Sequence, residues 1–359
     1  MTAYVTTKWK HVLMSLKTKK NGILPTIFFA ERCDMLNSPS HISKLESIAQ
    51  VKWASSDEEA AILAEVRDAT IIISDYVPIT SRIMDSAPNL RGIISYGVGF
   101  NQIDVNAASE RGIFVVNLRG SNAESVAELA VSMMVALLRS LLKSDQYVRN
   151  KKWDTTESGK YPDWTLGSEL YKKTLGIVGI GEVGKRVARI CSKGFNMRLL
   201  ASDPFTTKEK ALELGAELVD LNTLLKLSDI VTVHVPLSAE TKGLIGAREI
   251  SLMKKSACII NTSRGPVLDE AALMNALKEG KIAGAGLDVF EKEPIPTNSP
   301  LMELDNTVLT PHVASSTREA REAMKDMVVE EATRIAQGEL PKNLVNRSQL
   351  VAKGHLRET

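Results

Sequence analysis

The stretch Thr174 to Lys185, TLGIVGIGEVGK, constrains the fold more than any other part of the chain. An apolar run (Leu175, Ile177, Val178) predicts a buried strand. It ends in Gly179-x-Gly181-x-x-Gly184, and a helical apolar pattern follows at Val187, Ala188, Ile190 and Cys191. Strand, glycine turn and helix in that order form a dinucleotide site. Gly179 permits the tight turn, Gly181 lets a pyrophosphate approach bare backbone, and Gly184 lets helix and strand pack closely. The helix N-terminus then offers unpaired N–H groups and a positive dipole end to phosphates. A glycine turn between a strand and a helix also occurs without any ligand, so a second element matters. Asp203 supplies it: it ends the next apolar run, Leu199-Leu-Ala-Ser-Asp203, 19 residues after Gly184. An acid there accepts hydrogen bonds from ribose hydroxyls.

With 359 residues the chain is long enough for two domains, each with its own core. A net charge of +2 gives no reason to expect nucleic acid or an anionic membrane as partner. Cys33, Cys191 and Cys258 lie far apart, with no CxxC and no histidine at ligand spacing. They read as free thiols in a reducing compartment, with no metal site. No apolar run approaches the roughly 18–20 residues that span a bilayer. The expectation is a soluble, cytoplasmic protein acting on a small molecule.

Residues 1–23 form a lysine-rich extension with no acid before Leu24 (Lys8, Lys10, Lys17, Lys19, Lys20), expected to be disordered or to precede a true start at Met14. From Leu24 to about residue 120, apolar runs at 24–30, 71–74, 92–95 and 113–116 alternate with helical patterns at 57–66 and 81–87. That alternation implies βαβ units and a parallel sheet. Residues 123–142 predict the longest apolar helix, capped by Asn122 and so apolar that it needs cover between domains or subunits. A polar excursion follows from Trp153 to Leu170. Beyond Asp203, strands are predicted at 230–235, 257–261, 284–288 and 307–309, with helices between them. A last helix, Thr317 to Gln337, leads to Pro341–Asn346, which would rejoin the first domain. The predicted architecture is α/β, with two Rossmann-like domains and parallel sheets. A cofactor domain (123–316) is inserted into a discontinuous substrate domain (24–122 and 317–350).

In an open α/β sheet, ligands bind beyond the carboxyl ends of the strands. The polar residues there are His234, Asn261 through Arg264, Asp288, Glu293 and His312. An arginine, a carboxylate and a histidine converging on one cleft would suit hydride transfer to an oxo acid. The segments Asn261-Thr-Ser-Arg-Gly-Pro-Val-Leu-Asp-Glu270, Gly286-Leu-Asp-Val-Phe-Glu-Lys-Glu-Pro294 and Thr310-Pro-His-Val-Ala-Ser-Ser316 resemble three signatures of the D-isomer-specific 2-hydroxyacid dehydrogenases, in the family's order. With Tyr96-Gly-Val-Gly-Phe-Asn-Gln-Ile-Asp104 and Gly120-Ser-Asn-Ala-Glu-Ser-Val-Ala-Glu-Leu-Ala130, the resemblance covers about residues 25–345.

The resemblance implies an NAD-dependent enzyme in which Arg264 holds the substrate carboxylate and polarises its carbonyl. A guanidinium fork matches a carboxylate and never loses its charge. His312 would be the general acid–base, and Glu293 would pair with it, orient the ring and favour its charged form. Tyr96, Gly97, Val98 and Gly99 would bind substrate from the first domain. His234 is assigned to the cofactor pocket, and Asp288 would accept from the nicotinamide amide. Further cofactor contacts are implied at Val126, Gly179, Gly181, Glu182, Val183, Gly184, Asp203, Val235, Pro236, Thr241, Asn261, Thr262, Ser263 and Ala314. The family also implies a homodimer.

Two departures stand out. Glu182 lies inside the glycine loop, where its carboxylate must turn away from a pyrophosphate. Ala314 replaces a glycine common after the catalytic histidine. The expected cofactor is NAD, because Asp203 occupies the place of an NADP 2′-phosphate and Pro204–Thr207 bring no arginine. Ser74 and Ser95 stand where phosphoglycerate-type members would carry arginine, and Arg82 and Arg91 are not placed in the cleft by periodicity. No extra regulatory domain follows before Thr359. The reading favours a small unphosphorylated 2-oxo acid such as glyoxylate or hydroxypyruvate. Its alternatives are a 3-phosphoglycerate dehydrogenase-type activity and, in another class, an NAD(H)-sensing corepressor-like protein.

Overall fold

The structure, a computed structural model, describes residues 24–153 and 161–357. The basic extension at 1–23 lies outside the described residues, as does part of the 153–170 excursion. The chain forms two compact units, Met1–Asn122 with Arg318–Thr359, and Ala123–Thr317.

The first unit is built on a five-stranded sheet: β1 (Thr26–Phe29), β2 (Gln50–Trp53), β3 (Ile71–Ser74), β4 (Gly92–Ser95) and β5 (Phe114–Val116). The strands run in the order β2-β1-β3-β4-β5, and every neighbouring pair is parallel. Both faces are covered, which is why the central strands read as unbroken apolar runs. Phe28, Ile72, Ile93 and Val115 face a core with Ile62, Ile83 and Ala108. The alternate residues Phe29, Ile73, Ile94 and Val116 face Met35, Leu45, Val328 and Ile335. The edge strand β2 is only partly covered and carries Lys52, so it lacks the apolar run by which its neighbours are predicted.

The C-terminal part completes this unit. Helix Arg318–Ala336 packs so closely on β4 that a Cβ at Gly92 would stand 2.6 Å from Ile335 Cδ1. Leu344 then forms an antiparallel bridge with Val116, and Val345 N–H donates to Val115 O at 2.8 Å. The return is fixed by two buried side chains. Glu331 accepts the N–H groups of Lys342 and Asn343, both at 3.0 Å. Asn346 accepts from Val115 N–H (3.0 Å) and donates to Ile113 O (2.9 Å).

The second unit holds a seven-stranded parallel sheet: β6 (Thr174–Val178), β7 (Arg198–Ser202), β8 (Ala216–Leu218), β9 (Ile230–Val233), β10 (Cys258–Asn261), β11 (Gly284–Leu287) and β12 (Thr307–Leu309). Its order is β12-β11-β10-β9-β6-β7-β8. The winding reverses between β6 and β9, and the crevice beyond the carboxyl ends of those two strands is where such sheets bind ligands.

The long apolar helix is shorter than its prediction. It runs from Ala123 to Leu138, and a second helix, Leu141–Arg149, leaves it at 63°. Ser140 adopts a left-handed φ of 46°, and Leu138 O accepts the N–H of Ser168 at 2.9 Å. Chain returning from the polar excursion thus satisfies a carbonyl at the helix end. The helix is also covered within its own unit: Ala127, Ala130, Met133 and Met134 share a core with Leu175, Ile177 and Val187. Among the described residues no single helix is long and apolar enough to cross a membrane.

Candidate active site

The glycine loop joins β6 to helix Glu182–Phe195, and each glycine answers a steric demand. Gly179 has a φ of +88°, and a Cβ on it would meet Val235 Cγ1 at 2.7 Å. A Cβ on Gly184 would stand 2.3 Å from Gly179 O. Gly181, by contrast, has nothing within 4 Å of where a Cβ would be, so its backbone faces open space. Asp203 closes the pattern. Its Oδ2 accepts the N–H of Ile180 (2.9 Å) and its Oδ1 that of Phe205 (2.8 Å), which fixes the acid beside the loop. A bare-backbone opening at the start of a 14-residue helix, with an acid anchored next to it, fits the pyrophosphate and ribose of a dinucleotide.

Glu182 bends back along its own helix, where its carboxylate meets Arg186 Nη1 at 3.0 Å and Lys185 Nζ at 3.8 Å. Arg186 also pairs with Glu124 at 3.2 Å. An i,i+4 pair is worth only about 0.3–0.5 kcal/mol, so this contact orients the acid more than it stabilises the helix. Val183 is partly buried against the core under the loop, and Val126 is buried in the first turns of helix Ala123–Leu138.

At the end of β9, His234 lies against Gly179, and its Nε2 is 2.9 Å from Thr232 Oγ1. Burial pushes its pKa down to about 3, so the ring is neutral at ordinary pH. Val235 and Pro236 follow, and Thr241 ties the loop by donating to Pro236 O (2.6 Å) and accepting from Ser238 N–H (2.7 Å).

Beyond β10, Asn261 organises the arginine loop. Its Oδ1 accepts Ser263 N–H (3.0 Å) and its Nδ2 donates to Arg264 O (3.0 Å). Thr262 is buried with its hydroxyl lacking a partner among the described residues. Arg264 donates from Nη1 to Ser263 O at 2.7 Å. Burial disfavours its charge, and the Glu293 carboxylate acts in the opposite sense. Gly265 is packed so tightly that a Cβ would fall 1.8 Å from Phe290 O, which locks the arginine loop onto the segment after β11.

That segment and the one after β12 bring Glu293 and His312 together, with Nδ1 2.6 Å from Oε2. The other oxygen, Oε1, accepts Phe290 N–H at 3.0 Å, so the carboxylate is aimed from behind. His312 has a left-handed φ of 52°, uncommon for a residue with a side chain. Its N–H donates to Asp288 O at 2.9 Å. Asp288 itself is fully buried. Its Oδ1 accepts from the Thr310 hydroxyl (2.5 Å) and Val313 N–H (2.9 Å), and its Oδ2 from Ala314 N–H (2.9 Å). In the structure the Asp288 carboxylate organises the 310–314 loop, with Oδ2 engaged by a single donor. Thr310 is a participant that sequence reasoning passed over, although it stands two residues before His312.

In the first unit, Tyr96 is buried, and its hydroxyl donates to Asp34 Oδ1 at 2.5 Å. Gly97, Val98 and Gly99 are half-buried in the loop after β4. Among the described residues no group of three or more His, Cys, Asp or Glu side chains could hold a metal.

The sheet order and the glycine loop define a dinucleotide-binding fold of the Rossmann type, and the comparisons name its family. Residues 131–314 match the model of the D-isomer specific 2-hydroxyacid dehydrogenase, NAD binding domain. The chain is 43% identical over 310 residues to a glyoxylate reductase of Korarchaeum cryptofilum, covering 85% of this chain and 92% of that protein. It is also 43% identical over 298 residues to a D-3-phosphoglycerate dehydrogenase of Archaeoglobus fulgidus, covering 83% of this chain and 55% of that protein. A solved NADPH-dependent glyoxylate/hydroxypyruvate reductase of Sinorhizobium meliloti, in complex with NADP and malonate, superposes with a TM-score of 0.77 at 29% identity, covering 93% and 99% of the two chains. The chain belongs to the D-isomer-specific 2-hydroxyacid dehydrogenase family. It is an NAD-dependent oxidoreductase.

Because Gly265 leaves no room for a methyl group, Gly265→Ala must displace Arg264. A misplacement near 1 Å costs on the order of 100-fold in rate. Steady-state kinetics should show a fall in kcat/KM of that order with the circular dichroism spectrum unchanged; activity within threefold of the unmodified enzyme would show that Arg264 tolerates the shift.

Proposed function

We propose that the protein reduces a small, unphosphorylated 2-oxo acid, of the glyoxylate or hydroxypyruvate kind, with NADH, and oxidises the matching D-2-hydroxy acid in reverse. His312 is the proton donor. Its Nδ1 is engaged by Glu293, which leaves Nε2 for the substrate oxygen. Glu293 orients the ring. Arg264, aimed by its bond to Ser263 O, holds the substrate carboxylate and draws electron density from the carbonyl. Tyr96, Gly97, Val98 and Gly99 supply further substrate contacts. Asn261, Thr262 and Ser263, with Ala314, His234 and the His234–Thr241 loop, line the cofactor's place. Bound nicotinamide supplies the hydride; the protein orients the reactants and moves the proton.

The observation that carries the substrate assignment is the state of two serines. Ser74 and Ser95 are 0% and 1% exposed. Their hydroxyls donate to Val77 O (2.7 Å) and Gly99 O (2.5 Å), so neither is turned outward to meet a phosphate. Around them stand acids instead of arginines. Burial raises Glu31 to about 7, and Asp75 is raised by burial and by the Asp34 charge. Lys325 nearby is paired with Glu322 and Asp34. Neither the two serines nor these acids supplies a cation to balance a phosphate dianion.

We further place the enzyme in the cytoplasm as a homodimer. The free thiols of Cys33, Cys191 and Cys258, pushed by burial to about 12, 12 and 11, are unreactive and suit a reducing compartment. Leu141, Leu142, Val148, Trp153, Tyr161 and Leu166 are exposed on and after the second helix, and they support a subunit contact. Sedimentation at micromolar concentration should give twice the mass of one chain; a single-chain mass would refute the dimer.

For the acid–base assignment, His312→Asn should lower kcat by about 10²–10⁴-fold with little change in NADH affinity. Near-full turnover at neutral pH would remove His312 from the chemistry.

Substrate and cofactor are tested together by kcat/KM for hydroxypyruvate and phosphohydroxypyruvate, each with NADH and NADPH. Hydroxypyruvate with NADH should be the best pair, and Asp203→Ala should erode the NADH preference. A tenfold advantage for the phosphorylated acid would favour the phosphoglycerate-type activity, and equal use of the two cofactors would refute the role of Asp203.

A further inference from the structure

The side chain of Gln102 donates from Nε2 to Asp75 O (2.7 Å), to Ser95 Oγ (2.9 Å) and, at longer range, to Ser74 O (3.4 Å). Two of these partners are carbonyls, which only accept, so the amide orientation follows from its partners. The direction of the next bond follows as well. Ser95 receives a proton from an NH2 group that cannot accept one. Its own proton therefore goes to Gly99 O, 2.5 Å away. A one-way relay thus runs from Gln102 through Ser95 to the carbonyl of Gly99.

The two preceding carbonyls are held in the same manner. Val98 O accepts from Asn117 Nδ2 (2.7 Å) and Gly97 O from Leu118 N–H (2.8 Å). Across a planar trans peptide, a C=O and the following N–H point in opposite directions. Holding the carbonyls of Gly97, Val98 and Gly99 therefore turns the N–H groups of Val98, Gly99 and Phe100 the other way. Among the described residues none of these three N–H groups has an acceptor. A Cβ at Gly97 would meet nothing within 4 Å, so space is open beside the first of them. Three successive N–H groups without an acceptor are available to hydrogen-bond an anion.

We propose that Gln102 is a positioning residue that sets the aim of the Val98–Phe100 amides at the carboxylate of the 2-oxo acid. The inference rests on the proposed 2-oxo-acid reduction and adds a residue that touches neither substrate nor cofactor. It acts through Ser95, and by holding Asp75 O it also ties the loop after β3 to the loop after β4.

Gln102→Met keeps the length of the side chain and removes the donor. Without it, the Ser95 hydroxyl is free to rotate and Gly99 O is no longer held. KM for glyoxylate should rise about tenfold, as expected when hydrogen bonds to a charged group are misaimed. Turnover at saturation should stay within about twofold, and the NADH dissociation constant, read by fluorescence, should not move. Ser95→Ala breaks the same relay one step later and should raise KM in the same way; it also decides the matter if Gln102→Met fails to fold. In the double variant the effects should not add, because both substitutions remove one path. An unchanged KM in either single variant, additive effects, or a joint loss of kcat and NADH affinity would overturn the role of Gln102. Failure of the unmodified enzyme to reduce glyoxylate, hydroxypyruvate or any other 2-oxo acid would instead overturn the proposed function, and this inference with it.

Discussion

The buried carboxylate of Asp288 holds the second unit's chemistry in place. It sits beyond β11 and accepts from the Thr310 hydroxyl and from Val313 and Ala314 N–H, while its own carbonyl takes His312 N–H. These bonds bracket His312, whose left-handed backbone costs about 1–2 kcal/mol. Hydrogen bonds to a charged group are worth roughly 1.5–3 kcal/mol each, so three of them outweigh that strain. A histidine on a regular strand would project perpendicular to the sheet. The strained one turns its Nδ1 onto Glu293, whose second oxygen is itself held by Phe290 N–H.

Elsewhere in the unit, charge is placed by restraint. Asp203 spends one contact from each oxygen on backbone N–H groups and so keeps its position beside the glycine loop. Glu182, an acid where an anion is to bind, is drawn back by Arg186 and Lys185. His234 is kept neutral by burial, which separates it chemically from His312 although both follow strands of the same sheet.

Much of this was legible in the sequence, for physical reasons that differ from element to element. Strands β1, β3 and β4 are covered on both faces, so their apolar runs are unbroken and easy to see. Edge strands β2 and β8 mix polar with apolar residues and escaped notice. The helix break near Ser140 depends on chain that returns some 25 residues later, and no local signal marks it. Arg264, Glu293 and His312 could be picked out because each follows a strand end inside a dense motif. The holding role of Asp288 could not, since it lies in backbone bonds that only the folded loop creates. Ser74 and Ser95 read as standing where phosphoglycerate-type members would carry arginine; that their hydroxyls turn inward to Val77 O and Gly99 O depends on loops that only the fold creates.

The return of Leu344 to the edge of β5 has a consequence for the order of assembly. The first unit is made of two segments separated by the whole of Ala123–Thr317, whereas the second is one continuous stretch. During synthesis the second unit is complete before helix Arg318–Ala336 or Asn346 exists to close the first. Until then Ile335 is missing from the floor under Gly92, and the β5 edge has unpaired backbone groups at Val115 and Val116. The half-built first unit is the stage at which a nascent chain is most exposed to wrong strand pairing. Its rescue comes only when residues 318–346 have been translated.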